Sequence, residues 1–313
     1  MAKAKEIVGI DCGASALEWA ATVLRVRFEE MTELREAALD FDNIEGVHQM
    51  RVATRRLRSA LRDFLPLMDK RPLKKTRGEL KRIADALGRV RDRDVAILAL
   101  EGLQLEAENE TVKRGVEALL EERRRSRETA RTGLTETIAV NNLADLQERF
   151  TSALGESVRK KKQRRDLSFN EAGRAAVTAG LREMCELGIS LYQPQEVEEL
   201  HELRIAAKRL RYATELFTAC WGERIAPFAD EVAEMQAHLG EVHDSDVWIA
   251  DLSKKLRAVQ CGSQENQSEY QASVWLLSEF VKKRTKNYRA ALELWSEWQN
   301  QNFADKMQTV VSQ

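Results

Sequence analysis

A long proline-free stretch most restricts what this chain can fold into. Between Pro72 and Pro194 lie 121 residues without a proline, and Ala, Leu, Glu, Arg and Lys dominate them. These residues are strong helix formers, and no segment alternates apolar and polar residues with the period of two of a half-buried strand. The sequence therefore predicts an all-α protein built as helical bundles. Pro66, Pro72 and Pro194 mark breaks, and Pro227 opens a helix.

Local signals predict where helices begin and end. Ser15-Ala16-Leu17-Glu18 matches a capping box that opens a first helix to about Leu39. Asp94 and Asp246 are expected to cap helices that begin after a glycine stop. The glycines predicted to mark turns are Gly46, Gly88, Gly188 and Gly240.

Charge and hydropathy exclude several classes of protein. The 313 residues carry 50 Lys+Arg against 51 Asp+Glu, so the overall charge does not demand an anionic partner. The longest uncharged runs, 187–195 and 270–278, have nine residues each, whereas a membrane helix needs ~20. The N-terminus has no apolar signal-peptide core. We expect a soluble cytoplasmic protein with no membrane partner.

The cysteines and the N-terminal segment do not indicate a disulfide, a zinc site or a phosphate-binding loop. Cys12, Cys185, Cys220 and Cys261 form no CxxC pair, which predicts reduced thiols, no disulfide and no zinc site. The segment 8–13 resembles the first phosphate loop of actin-like ATPases. That fold needs strands and further glycine-rich loops, so we interpret 8–13 as a short tail.

An internal repeat organises the chain. The segment 47–58, VHQMRVATRRLR, returns as LHELRIAAKRLR at 200–211, an offset of 153. A second block, LGRVRDRDV at 87–95, returns as LGEVHDSDV at 239–247, an offset of 152. The order and the offset agree, so we predict a duplication with copies at about 14–150 and 168–310, packed together as a single domain over 1–313. The basic run 159–165 between them is interpreted as a linker or a helix end.

Each motif helix presents a ridge of cations on one face. At 100° per residue, His48 shares an 80° arc with the arginines Arg51, Arg55, Arg58 and Arg62. The opposite face carries Met50, Ala53, Leu57, Leu61 and Phe64. In the second copy the same arc holds His201, Arg204, Lys208 and Arg211, backed by Leu203, Ala206, Leu210 and Phe217. Like charges at i,i+4 repel each other, so an anion-binding ridge explains this pattern better than an ordinary solvated face.

The second block of the repeat is interpreted first as structural. Asp92 and Asp244 are short acids that can hold nearby arginines in place. Arg91 stands where the second copy has His243, so metal-ligand chemistry is not kept between the copies. Both side chains can donate to an oxyanion. We therefore predict helix capping together with support for the ridge, with Arg62, Arg91 and His243 among the anion-binding residues, and no metal site.

Charge is distributed unevenly between the copies. Residues 70–82 hold seven Lys/Arg and one Glu, whereas the second-copy stretch after Trp221 is acidic. Segment 29–45 carries seven acids and one Arg. The first copy is expected to contribute more to any polyanion site.

No recognised catalytic motif supports an enzyme. The chain has no Walker A motif, no GxGxxG and no HExxH, and no Ser or Cys lies in the context of an activated nucleophile. We predict no catalysis and no cofactor.

The paired motifs HxxRxxx[RK]RLR and LGxx[RH]DxDV, in this order and from about Ala14 to about residue 300, resemble the CHAD family, the conserved-histidine α-helical domain. The resemblance implies two pseudo-symmetric four-helix bundles whose motif helices line a basic central channel. It also implies binding of inorganic polyphosphate and association with polyphosphate granules. Family members are often linked to CYTH triphosphatase domains, and no such domain fits in this chain, so the resemblance implies a stand-alone binder.

The resemblance also implies the ligand contacts, position by position. They are His48, Arg51, Arg55, Arg56 and Arg58 in the first copy, and His201, Arg204, Lys208, Arg209, Arg211 and Tyr212 in the second. Glu215 stands where the first copy has Arg62, which departs from the basic pattern. Protonation of His48 and His201 near pH 6.5 is expected to strengthen anion binding.

Two other functions remain open. The same cations suit an RNA- or DNA-binding module, but such modules interleave aromatics with the basic groove, and only Tyr212 lies in a motif. A phosphohydrolase that uses His48, His201 and nearby acids around a metal would need carboxylates facing the ridge.

Overall fold

The computed structural model describes residues 4, 5, 7–159, 167–258 and 264–313, and the fold of these residues is all-α as the sequence predicts. Short 3-10 turns occupy 65–67, 188–192 and 222–224. The α-helices are α1 (Ala16–Glu33), α2 (Arg35–Leu39), α3 (Ile44–Phe64), α4 (Lys74–Glu106), α5 (Glu110–Thr137), α6 (Val140–Arg159), α7 (Phe169–Leu187), α8 (Val197–Trp221), α9 (Ala226–Ala258), α10 (Gln264–Asn300) and α11 (Phe303–Ser312).

The chain divides into two compact units. Unit 1 comprises Met1–Val95, Arg125–Ala176 and Tyr212–Gly222. Unit 2 comprises Ala96–Arg124, Val177–Arg211 and Glu223–Gln313. Each unit takes residues from both predicted sequence copies, so the units do not follow the copy boundaries, and the duplication stays a prediction from sequence.

Aromatic side chains form the core of unit 1. Phe217 lies 5.6 Å from Phe64 and 4.8 Å from Phe169, measured between ring centroids. Phe28 stacks on Phe150 with centroids 4.8 Å apart. Gly173 allows this packing, because a Cβ there would lie 2.8 Å from the ring of Phe217. The core therefore depends on contacts between helices that are far apart in sequence.

The N-terminal segment is attached to unit 1, which corrects two predictions. Cys12 forms a disulfide with Cys220, with Cα atoms 5.5 Å apart, so these thiols are not reduced as the sequence suggested. The backbone of residues 12–16 also pairs with 167–170, and Phe169 N donates to Ala14 O at 2.9 Å. The segment is therefore not a free tail. Cys185 is a free thiol, and Cys261 lies outside the described residues.

Unit 2 is built on paired long helices. One core cluster of unit 2 takes its aliphatic side chains from α4, α5, α9 and α10, and from Ala107 between α4 and α5. Trp248 of α9 stacks on Phe280 of α10 with centroids 4.8 Å apart and planes 8° from parallel. Among the described residues, no helix combines the length and the apolar composition that crossing a membrane requires.

Several predicted helix ends are confirmed. The Ser15 hydroxyl accepts a hydrogen bond from Glu18 N at 3.2 Å at the start of the first helix. That helix ends at Glu33, and the short α2 follows it to Leu39. Pro66 lies in the 3-10 turn after α3, and Pro227 lies in the first turn of α9. Beyond Arg159, which ends α6, the basic run 159–165 lies outside the described residues.

The prediction that Gly88 and Gly240 stop helices is wrong. Helix α4 continues through Gly88 and α9 continues through Gly240, because a helix tolerates one glycine at about 1 kcal/mol relative to alanine. Asp94 and Asp246 consequently lie inside helices and cap none. Asp94 is buried 3.7 Å from Arg127, and Asp246 accepts from Arg284 Nε at 2.5 Å.

Two further glycines permit close packing. Gly46 does not form a turn but lies in the first turn of α3, where a Cβ would meet Ala37 O at 1.8 Å. Gly188 follows the last residue of α7, and a Cβ there would meet the Trp295 ring at 2.1 Å.

Candidate functional site

The motif helix α3 buries one face and exposes another, as its periodicity predicts. Its core residues are buried: Met50, Ala53, Leu57, Leu61 and Phe64. On the opposite face, Arg51 contacts α4 of unit 1, and Arg91 of α4 acts on His48. We call His48, Arg51, Arg55 and Arg91 the first cluster.

Arg51 is positioned by two features of α4. Its Nη2 donates to Asp92 Oδ1 at 3.3 Å, which confirms that Asp92 holds an arginine in place. Its Nε also lies 3.8 Å from the position that a Cβ on Gly88 would occupy. The Arg51 side chain therefore lies against α4 at Gly88, at ordinary contact distance from where a methyl group would be.

The His48 ring lies among positive charges. Burial lowers the pKa of His48 below its ordinary value of 6.5, and Arg91 lowers it further. Glu45 acts in the opposite direction, and Arg55 and Arg51 add weaker lowering effects. Its Nδ1 is buried without a hydrogen-bond partner among the described residues. The expected pKa near 6.5 is therefore corrected downwards, and the ring is neutral at pH 7.

The remaining cations of the α3 ridge differ in how they are engaged. Among the described residues, the side chains of Arg55 and Arg58, and that of Arg91 on α4, form no hydrogen bond or ion pair. Arg62 pairs with Asp63 at 2.8 Å, and burial raises the pKa of Asp63 to about 6. Arg55, Arg58 and Arg91 are thus available to an external anion.

Arg56 is not brought into the first cluster. It is 8% exposed, its Nε donates to Glu215 Oε1 at 2.5 Å, and its Nη1 lies 3.5 Å from Glu30 Oε1. Glu30 also accepts from Arg27 at 2.7 Å. The motif position carried over from the family therefore holds an internal ion-pair network in this chain. Glu215, noted in the sequence as a departure from the basic pattern, is a partner in that network.

The corresponding residues of unit 2 form a second cluster. It comprises His201, Arg204 and Lys208 of α8 and His243 of α9. His201 Nδ1 lies 3.0 Å from His243 Nδ1, and the ring centroids are 4.3 Å apart. A hydrogen bond between two ring nitrogens needs one donor and one acceptor, so one of the two Nδ1 atoms carries no proton.

The second cluster also disfavours charged imidazoles. Burial lowers the pKa of His243 to about 4, with further lowering by Arg204, His201 and Lys208. Burial lowers the pKa of His201 as well, with Arg204 acting in the same direction. Arg204 Nε lies 4.0 Å from the position that a Cβ on Gly240 would occupy, and the corresponding distance from Arg51 Nε to Gly88 is 3.8 Å.

Three predicted contacts of the second copy lie outside this cluster. Arg209 donates to Glu183, and Arg211 donates to Gln236 Oε1 at 3.0 Å. Tyr212 is 5% exposed and lines a small cavity of unit 1 with Arg27, Arg56 and Glu215. The tyrosine is therefore a core residue rather than a surface contact.

The described residues contain no group of three or more His, Cys, Asp and Glu side chains that could hold a metal ion. Arg204 and Lys208 act on both rings of the His201–His243 pair, and the carboxylate of Glu202 opposes them at His201. This arrangement suits an anion better than a divalent cation.

A family model described as the CHAD domain matches residues 22–253. The chain belongs to the CHAD domain family. The crystal structure of the CHAD domain from the plant Ricinus communis is similar, with 20% identity over 92% of this chain and 95% of the other, and a TM-score of 0.73. PptA from Streptomyces chartreusis is similar at 15% identity over 90% of this chain and 100% of the other, with a TM-score of 0.68. No curated protein sequence matches the chain.

At these identities the two solved structures show that this CHAD protein shares their fold. The central channel and the ligand set that the family resemblance implies stay predictions. One sequence signal points to the contacts of Arg51 and Arg204 with the neighbouring helices. In each copy the motif glycine lies one helical turn before the first acid of the DxD segment, so both fall on one face of a continuous helix.

Proposed function

We propose that this CHAD protein binds inorganic polyphosphate and catalyses no reaction on it. One observation carries the proposal: each unit holds a cluster in which a motif helix and its neighbour present cations and imidazoles together. Arg55 and Arg91 have no ion pair among the described residues, and guanidinium groups bind phosphate oxygens in a fixed donor geometry. A linear polymer of phosphates with no bases needs only this repeated charge.

The burial of aromatic residues favours polyphosphate over nucleic acid. All phenylalanine, tyrosine and tryptophan side chains of the two motif helices are buried: Phe64, Tyr212, Phe217 and Trp221. Single-stranded nucleic acid is normally bound by stacking bases on exposed aromatics beside a basic groove. The clusters offer charge without such stacking surfaces, so RNA is expected to bind more weakly than polyphosphate of similar charge.

The charge around the histidines disfavours a metal-dependent phosphohydrolase. Arg91, Arg55 and Arg51 surround His48, and Arg204 and Lys208 lie beside the histidine pair. A divalent metal prefers carboxylates and neutral imidazoles without neighbouring cations. We expect no turnover of polyphosphate or tripolyphosphate with Mg²⁺, Mn²⁺ or Zn²⁺, measured as phosphate release. Turnover that is lost on substitution of His48 or His201 would overturn the non-catalytic assignment.

We also propose that the protein acts in the cytoplasm, on polyphosphate granules. Structural disulfides are rare in reducing compartments. The Cys12–Cys220 bond therefore argues against a cytoplasmic location, and the location is tested independently of binding. Fluorescence imaging of the tagged protein against stained granules tests it, together with thiol trapping of Cys12 in rapidly quenched cells.

The binding proposal is tested by comparing long-chain polyphosphate with single-stranded RNA of matched charge at about 0.15 M salt. The informative variant is Arg55→Glu combined with Lys208→Glu, which reverses one cation in each cluster. The matched control is Arg89→Glu combined with Lys286→Glu, which makes the same charge change at exposed positions outside both clusters.

We expect tight binding of polyphosphate by the wild type and the control, a loss of at least roughly 100-fold in the cluster variant, and weaker binding of RNA. An equal loss of polyphosphate affinity in the control would show that binding depends on the overall charge of the protein and not on the two clusters. Absence of polyphosphate binding by the wild type would mean that the family fold is present without this function.

A further inference from the structure

Helix α4 connects the first cluster to a separate run of cations. The sequence suggested that Gly88 ends a helix, but α4 is continuous from Lys74 to Glu106. Residues 74–82 and Arg91 therefore belong to one rigid helix of unit 1. Their relative directions follow from helix geometry alone.

Three cations of α4 share a face with the first cluster. At 100° per residue, Lys74, Arg77 and Lys81 fall in the same arc of about 100° as Gly88 and Arg91. At 1.5 Å per residue, they lie about 15 to 25 Å from Arg91 along the helix axis. We call Lys74, Arg77 and Lys81 the α4 stripe. Of the acids on this side, Asp92 pairs with Arg51, and Asp85 lies just outside the arc.

The stripe is exposed and carries uncompensated charge. Lys74, Arg77 and Lys81 are all exposed, and none of them forms an ion pair or hydrogen bond through its side chain with a described residue. Ordinary solvated helix faces mix signs to gain i,i+4 pairs, whereas Arg77 and Lys81 repeat one sign at that spacing. The protein thus maintains a repulsive row of charge at this surface.

Helix α3 adds a further cation, Arg58, near the stripe. The segment 65–73 joins α3 to α4, and Arg51 reaches Gly88 and Asp92, so the two helices run antiparallel. Arg58 of α3 is exposed and unpaired among the described residues, and at 1.5 Å per residue it lies level with the turn of α4 that contains Lys81. Positive charge therefore continues from the first cluster towards the start of α4.

The second copy lacks this extension. At the offset of 152, the three stripe positions correspond to Ala226, Ala229 and Ala233 of α9. Their neighbours Asp230, Glu231 and Glu234 are acidic. The second cluster therefore has no continuing row of cations along its neighbouring helix.

We infer that the α4 stripe is a binding surface for the extended part of a long polyphosphate chain whose nearer phosphates occupy the first cluster. The inference rests on the proposed function and adds a substrate preference to it. Short oligophosphates fill the cluster without reaching the stripe, whereas long chains gain contacts along α4. The stripe thus makes affinity depend on chain length.

The test compares tripolyphosphate with long-chain polyphosphate. The stripe variant combines Lys74→Ala, Arg77→Ala and Lys81→Ala, and the matched control combines Lys75→Ala, Arg82→Ala and Arg89→Ala, which remove three exposed cations from another face of the same helix. Circular dichroism and thermal unfolding establish that both variants fold. Affinities are measured for both ligands over a range of salt concentrations.

We expect the stripe variant to bind tripolyphosphate like the wild type and to bind the long chain roughly tenfold or more weakly. Its slope of log K against log salt should fall by roughly 2, at about 0.7 per lost phosphate contact. The control should match the wild type. Long-chain binding that is unchanged, or lowered equally in the control, would overturn the inference and leave the proposed function intact.

Two further outcomes distinguish failure of this inference from failure of the proposed function. If the wild type binds neither ligand, the proposed function fails and the inference fails with it. If removal of the stripe weakens RNA of matched charge as much as long-chain polyphosphate, the stripe is a general polyanion surface, and its assignment to polyphosphate is overturned.

Discussion

In the first cluster, Arg91 of α4 acts on His48, whereas in the second cluster His243 of α9 stands at the corresponding position and bonds to His201. Both motif helices place an arginine against a glycine of the neighbouring helix. The first cluster therefore carries permanent charge from three arginines. The second carries permanent charge from Arg204 and Lys208, and its two imidazoles gain charge only on protonation. One helical pattern thus produces a first cluster with three permanent charges and one imidazole, and a second cluster with two permanent charges and two imidazoles.

The largest expected effect comes from a covalent difference between the units. The disulfide of unit 1 joins residues 208 apart, whereas the cysteine of unit 2 that the structure describes, Cys185, is free. Cys12→Ser should lower the free energy of unfolding by about 3–5 kcal/mol, since it removes a constraint on the unfolded chain. Denaturant unfolding of wild type and variant without reductant measures this change in the free energy of unfolding.

Cys185→Ser is the control for this change and should have little effect. Reductant should lower the stability of the wild type to that of Cys12→Ser. If reductant leaves the wild-type midpoint unchanged, the covalent difference between the units does not contribute to stability.

Charge reversal in each cluster separately is expected to have the next largest effect. Arg55→Glu should weaken polyphosphate binding at pH 7.5 by roughly 30-fold and Lys208→Glu by roughly 10-fold, because the first cluster holds more permanent cations. Isothermal titration or fluorescence anisotropy at fixed salt distinguishes the two. Equal losses, or the reverse order, would show that the clusters contribute differently from what their charges indicate.

The pH dependence of binding should arise mainly in the second cluster. A bound polyanion favours the protonated imidazole, so the pKa of His243 is higher in the complex than its value of about 4 in the free protein. Binding then takes up protons, and affinity rises as the pH falls from about 7.5 towards 5.5.

Exchange of the corresponding residues tests this assignment. His243→Arg should raise affinity at pH 7.5 roughly fivefold and flatten the pH dependence, and Arg91→His should do the opposite. His238→Arg, the same change on α9 outside the cluster, is the control. A pH dependence that survives His243→Arg would place the proton uptake elsewhere.

The smallest effect is expected at the glycines that the clusters share. Gly88→Ala and Gly240→Ala place a methyl group at ordinary contact distance from Arg51 and Arg204, at 3.8 and 4.0 Å. Each should raise the free energy of unfolding by about 0.5–1 kcal/mol, because alanine favours a helix interior more than glycine does. Binding should change less than twofold. A larger loss in one copy would show that its arginine needs the open space.

The sequence alone predicted properties that depend on local periodicity. Helix-forming composition predicted the all-α class, and the spacing of apolar residues predicted the buried faces of α3 and α8, where Met50, Leu57, Leu203 and Leu210 are buried. The ridge around His48 followed from the same spacing. A helix determines which residues share a face within a few turns, so these features need no knowledge of distant contacts.

The tertiary structure decided what the ridge residues do. Arg56 is withdrawn from the surface by Glu30 and Glu215, which are distant from it in sequence. The lowered pKa values of His48 and His243 come from burial and from cations on neighbouring helices. Folding also brings Cys12 to Cys220. Each of these outcomes depends on groups brought together by folding, and local sequence patterns carry no information about those distances.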